Sequence, residues 1–193
     1  MSKSIHVLAF AGSTRTESFT KKLARAAAGL GEEAGVTVTT IDLRDYPLPL
    51  YDGDLEESEG LPPPALELKK LIHTHDAVVI SSPEYNASVS AVLKNTIDWL
   101  SRSGGADDPG AVLKEKPVAL LSASPGGLGG IRALNHLRAI LLNLGTLVIP
   151  AQFALSQAHE AFDESGALQD EASRQAVRGV LEQLAAITRG LNG

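Results

Sequence analysis

The chain has 193 residues, 44% of them apolar and 21% charged, with no cysteine and a formal net charge of −6. These values fit a single soluble domain spanning residues 1–193 with a sizeable core. They argue against a nucleic-acid or anionic-membrane partner and exclude disulfides, thiolate metal sites and a cysteine nucleophile. No apolar run approaches about 18 residues and the N-terminus passes into a strand without a signal-peptide core, so a cytoplasmic protein is expected.

Ile5 to Phe10 is apolar apart from His6, as a parallel strand covered on both faces should be. Phe19, Leu23, Ala26, Ala27 and Leu30 then mark one face of a helix that ends at Gly31 and Gly35. Val36 to Ile41 alternates with threonine and reads as a second strand nearer the sheet edge. Asp42 to Pro64 breaks the pattern with five prolines and a short acidic run. A connection of this length is functional or mobile; a wall or lid over a site and a plain surface excursion both fit. A helix over roughly 64–73 leads to a buried third strand at 76–81, and a second helix is expected over Val89 to Arg102. Lys116 to Ala123 is a fourth strand. A helix with Leu134, Leu137, Leu141 and Leu144 on one face, a fifth strand around Thr146 to Ile149 and a final helix complete the chain.

Strands alternating with helices predict an α/β fold, a three-layer sandwich around a parallel sheet with right-handed crossovers. Five strands favour the flavodoxin-like order 2-1-3-4-5. Such sheets bind ligands at the carboxyl ends of their strands, where three loops are chemically loaded. After the first strand, Ser13, Thr14, Thr16, Ser18 and Thr20 offer hydroxyls beside Arg15 and the free N–H groups of a helix start. That set suits one phosphate monoester. Capping alone is the plainer reading, but five hydroxyls with an arginine exceed its needs. Glu17 is awkward beside an anion and should point outward. The loop is neither G-x-G-x-x-G nor a P-loop, which favours FMN over a dinucleotide.

After the third strand, Pro83 forces the chain out of the sheet. Glu84, Tyr85 and Asn86 then offer backbone N–H groups to a ring edge and one aromatic side chain to its face. An ordinary turn capped by Ser88 or Ser90 fits equally well. After the fourth strand, Gly126, Gly127, Gly129 and Gly130 allow close backbone approach to something flat, or make a mobile surface turn. The five histidines show no metal spacing, no G-x-S-x-G elbow occurs, and Glu84 and Asp98 are the carboxylates available for acid–base work.

Three segments resemble the NAD(P)H-dependent FMN reductase family, which includes quinone, azo and chromate reductases: GSTRTESFTKKLA (Gly12 to Ala24), SSPEYNASVSAVLKNTIDWLSR (Ser81 to Arg102) and SASPGGLGGIRAL (Ser122 to Leu134). The resemblance implies phosphate contacts from Ser13, Arg15, Ser18, Phe19 and Thr20, isoalloxazine contacts from Pro83, Glu84, Tyr85 and Asn86, and a ring or ribityl contact from Ser124 and Gly127. Thr20 stands where the family usually has Asn, and Ser90-Ala91 replaces a usual Pro-Gly.

The function so implied is hydride transfer from NAD(P)H through FMN to a small-molecule acceptor, with no side chain as an obligatory acid or base. A flavodoxin-type electron carrier is the alternative, and a flavin-free phosphate-binding module a third. The family forms dimers or tetramers. The 89–102 helix agrees, because Val92 and Trp99 start a second apolar face beyond that of Val89, Leu93, Ile97 and Leu100; Trp99 is expected to be buried in a partner.

Overall fold

The computed structural model describes residues 4–105 and 107–192. Strands β1 (Ile5–Ala11), β2 (Val36–Ile41), β3 (Ala77–Ser82), β4 (Pro117–Ala123) and β5 (Leu147–Leu155) form one parallel sheet in the order β2-β1-β3-β4-β5. The flavodoxin-like order expected from the sequence is the observed one.

Helices α1 (Phe19–Gly29) and α6 (Glu171–Asn192) cover one face of the sheet. There Val7, Ala9, Val79, Ala119 and Leu121 pack with Leu23, Ala27, Leu181 and Leu184. Helices α3 (Pro63–Thr74), α4 (Ala91–Leu100) and α5 (Ile131–Asn143) cover the other. Leu8, Phe10, Val78, Ile80 and Leu120 meet Leu68, Ile72, Leu93, Ile97, Leu134 and Leu137 on that side. Every residue of β3 and β4 is buried, which explains their apolar runs Ala77–Ile80 and Pro117–Leu121: a central strand must satisfy two cores at once.

β5 runs to Leu155, beyond the Ile149 end expected from the sequence. Its pairing with β4 shifts register, Val118 opposing Val148 but Leu120 opposing Gln152. Pro150 lies in the extra residues, where a missing N–H costs no ladder bond. Arg138 of α5 satisfies backbone carbonyls there, donating from Nη1 to Ile149 O at 2.9 Å, and also donates from Nη2 to the Gln152 side-chain oxygen at 2.9 Å.

The Asp42–Pro64 connection is ordered and lies against the fold, and none of its residues lines the groove between the loops after β1 and β3. It holds a 3₁₀ turn (Leu43–Asp45) and the helix α2 (Gly53–Glu59), and it is latched along α4. Trp99 Nε1 and Asn95 Nδ2 both donate to Pro49 O at 2.8 Å, while Tyr51 N–H donates to Asn95 Oδ1 at 2.8 Å. The Tyr51 ring meets Trp99 edge-on at 5.1 Å, and Arg102 both caps the Tyr51 face and pairs with Glu56. Trp99 is therefore fully buried within its own chain, and the expectation that a partner covers it is overturned. The second apolar face of α4 is explained by the 47–51 segment lying on it.

Candidate active site

At the carboxyl edge of the sheet, the loops after β1 and β3 meet in one groove of about 130 Å³. Its lining includes Ser13, Thr14 and Arg15 from the loop after β1, Tyr85 from the turn after β3, and Ser90 at the start of α4. The two loops are joined at Gly12. Its N–H donates to Ser81 O at 2.9 Å, and its carbonyl accepts from Ser90 Oγ at 2.6 Å. A Cβ on Gly12 would lie 2.8 Å from Leu93 Cβ, so only glycine lets the β1 loop seat against α4. Ser90 also caps α4, accepting from Leu93 N–H at 3.1 Å, which makes it the cap of the two serines considered.

The first loop has the makings of an anion site. Ser13, Ser18 and Thr20 are buried. Ser18 is the N-cap of α1, yet its hydroxyl bonds Thr20 Oγ1 at 2.8 Å rather than a helix N–H. The first N–H groups of α1 thus keep their donor capacity and the positive end of the helix dipole. Arg15 is exposed, as are Thr14 and Thr16. Glu17 turns outward to Lys22, as expected. Phe19 contributes a backbone N–H at this point, but its ring turns away. It packs against the core on the α1–α6 side of the sheet and, with Phe162, lines a cavity of about 540 Å³ between α1 and the 158–168 loop. That cavity receives no side chain from the loops after β3 or β4 and is not the site described here.

Behind the loop, Asp42 ties β2 to α1. It accepts from Lys21 Nζ at 2.8 Å and from Arg44, whose guanidinium also reaches Thr16 Oγ1. Burial acts to raise the Asp42 carboxyl. The bonds from Lys21 and from the Arg44 backbone and side chain outweigh it and bring its pKa to about 2.

The turn after β3 carries unusual backbone. Asn86 and Ala87 both sit in the left-handed region, at φ +52° and +62°. Tyr85 and Ser88 bond reciprocally across them, N–H to O, at 3.0 and 3.1 Å. This two-residue loop would suit Asn-Gly; an alanine there costs about 1–2 kcal/mol. Pro83 is buried, while Tyr85 is 47% exposed at the groove.

The Glu84 side chain turns from the groove toward α5. Its carboxylate pairs with the Arg132 guanidinium and accepts the N–H groups of Arg132 and Ala133 at 3.1 and 3.2 Å. Burial raises this carboxyl, and the Arg132 and backbone bonds outweigh it, so it stays below the usual carboxylate range. Asp98, the other carboxylate considered for acid–base work, is bound to Lys94 on the outer side of α4.

In the glycine loop after β4, the residues that require glycine are Gly129 and Gly130. Both have positive φ, and a Cβ there would meet Ala154 backbone at 2.7 Å and Ser122 Cβ at 3.0 Å respectively. Their role is close packing at the sheet end. Gly126 and Gly127 are open to solvent. Ser124 Oγ accepts from Gly126 N–H at 3.2 Å. Ser124 and Gly127 lie outside the lining of the groove. Thr14, one of the five hydroxyl residues of the loop after β1, lines the groove and also a cavity of about 310 Å³ beneath the 43–48 segment, while Ala91 and Val92 of α4 line the groove without having been read as site residues from the sequence. Among the described residues, no cluster of three or more His, Asp or Glu is placed to hold a metal ion.

The sequence profile of NADPH-dependent FMN reductases matches residues 5–160. The chain belongs to that family. It is similar to an NADPH:quinone oxidoreductase of Arabidopsis thaliana, at 40% identity over 98% of this chain and 94% of the relative. It is also similar, end to end, to an NAD(P)H-dependent FMN reductase of Pseudomonas aeruginosa at 35% identity. Among solved structures, the flavoenzyme NAD(P)H:(acceptor) oxidoreductase FerB from Paracoccus denitrificans superposes with a TM-score of 0.81. It shares 31% identity across 96% of this chain and 98% of its own. The family makes the chain an oxidoreductase with FMN as cofactor and NAD(P)H as co-substrate, and the electron-carrier reading is not favoured. The buried hydroxyls, the unspent N–H groups of α1 and the exposed Tyr85 above them fit a flavin mononucleotide.

Proposed function

We propose that the protein passes reducing equivalents from NAD(P)H to a small-molecule oxidant, a quinone first and a free flavin, azo compound or metal oxyanion after it. Bound FMN would supply reversible hydride acceptance; the rest falls to the chain. Ser13, Ser18 and Thr20, with the backbone at Phe19 and the Arg15 guanidinium, would hold the phosphate. Pro83, Glu84 and Asn86 would present backbone to the ring edge, Tyr85 its aromatic face, and Ser124 and Gly127 a third wall. The observation that carries this reading is the groove in which the Ser13–Arg15 loop and Tyr85 face each other.

No groove side chain is assigned as an obligatory acid or base, since Glu84 and Asp98 are both committed to ion pairs elsewhere. The working unit is taken as one domain in a homodimer or homotetramer. Support comes from Leu50 and Leu128, large apolar side chains left 79% and 57% exposed. A reducing, cytoplasmic setting suits a chain without cysteine. Among the described residues, no helix is long and apolar enough to cross a membrane.

The test is direct. Purified protein titrated with FMN should acquire an absorbance band near 450 nm, then oxidise NADPH with a quinone and no partner reductase. Uptake without turnover would instead support an electron carrier, and a colourless protein that takes up no FMN would defeat the reading.

A further inference from the structure

The left-handed pair Asn86–Ala87 is flanked by two residues that each reach the same face of α5. Before the pair, Glu84 supplies the acceptor that the start of α5 lacks. The N-cap there is Gly130, at φ +91° and without a side chain, and the Glu84 carboxylate takes the N–H groups of Arg132 and Ala133 in its place. The Arg132 guanidinium closes over the same carboxylate through Nε at 2.7 Å and Nη2. After the pair, Ser88 Oγ lies 3.0 Å from His136 Nδ1 in hydrogen-bond contact. Arg132 and His136 are four residues apart, one helical turn along one face.

We propose that the first turns of α5 are the positioning device for the turn that carries Tyr85. Glu84 and Ser88 grip the helix on either side of Asn86–Ala87 and hold that pair in a conformation it would not keep alone. Glu84 therefore serves the cofactor through its side chain, as a positioning residue, and not only through its backbone. The inference rests on the FMN reading for its consequence, and for its existence on the backbone of the turn and the side-chain bonds that tie it to α5.

A double-mutant cycle tests it. Glu84→Ala releases the near grip, whereas Ala87→Gly makes the left-handed pair comfortable on its own. In the parent background, Glu84→Ala should raise the FMN Kd at least tenfold. In the Ala87→Gly background, the same change should raise it less than threefold. In the apoprotein, hydrogen exchange at the Tyr85 and Ser88 amides, which bond across the turn, should quicken at least tenfold in Glu84→Ala and stay near parent rates in the double variant. Equal losses in both backgrounds, or unchanged exchange, would overturn the proposal. Should Glu84→Ala not fold, His136→Ala carries the same cycle from the far grip, with smaller changes of the same pattern. A parent protein that takes up no FMN would defeat the functional reading, while the exchange experiment would still decide the clamp.

Discussion

Two irregular segments border α4, and they are held in opposite ways. The 47–56 segment lies on the helix through a buried indole, a ring contact and hydrogen bonds to one carbonyl, Pro49 O; it gains contact and buries Trp99 completely. The 84–88 turn at the helix start does the reverse. It leaves Tyr85 half in solvent, keeps two residues at positive φ and is secured from outside by polar groups of α5. One segment is a source of stability, while the other draws on it to hold a shape, as strained backbone at functional sites does.

If that contrast is right, damage to the two segments should separate stability from ligand handling. The largest effect is expected from Trp99→Ala, which removes a fully buried side chain and its bond to Pro49; denaturant unfolding should show a loss of about 3–5 kcal/mol. Next comes acid. Because the Asp42 carboxyl is held down to about 2, its contribution is present above its ordinary pKa near 4 and is lost as pH falls from about 4 toward 2. Unfolding followed over that window should reveal a loss of at most about 2 kcal/mol, reduced in Asp42→Asn. A smaller change of opposite sign is expected from Ala87→Gly. Relief of the left-handed alanine, offset by the entropy of a new glycine, should raise the stability of the apoprotein by up to about 1 kcal/mol. Destabilisation by this change would remove the claim that the turn is strained. The smallest effect belongs to Tyr85→Phe, which keeps the ring and deletes only a hydroxyl. FMN should stay bound and NADPH oxidation with a quinone should remain within about threefold, because hydride transfer needs no proton from that position. Loss of all turnover with FMN still bound would sink that assignment.

The same contrast marks how far the sequence could be read. The strands were legible because β1 apart from His6, and all of β3 and β4, are buried and so predominantly apolar. α2 was not, because none of its residues is buried and it has no apolar face to betray it; it stands on its Asp52 cap, which accepts from Asp54 N–H. Trp99 misled for a related reason. A second apolar face shows that something covers a helix, without saying whether the cover belongs to another molecule or to a proline-rich stretch 50 residues upstream. At the site, residue types exposed the loops but not side-chain directions. Glu84 and Phe19 both turn from the groove, one to cap α5 and one to join Phe162, and neither choice leaves a trace in local spacing. In the glycine run, steric need within the chain falls on Gly129 and Gly130 at the sheet end, a distinction that four glycines in five residues do not show.

Gly12 has a consequence for what the protein can accept. The loop after β1 is tied there to the end of β3 and the start of α4 by two hydrogen bonds, at 2.9 and 2.6 Å, and by a contact that tolerates no extra carbon, so it cannot slide against either. A molecule gripped at both ends is thereby measured against a fixed gauge. A flavin lacking its terminal anion would leave one jaw empty, and a bulkier tail would have to overhang the far side. Selectivity by length then comes from this joint together with the grip of α5 on the Tyr85 turn, without any residue dedicated to rejecting the wrong ligand.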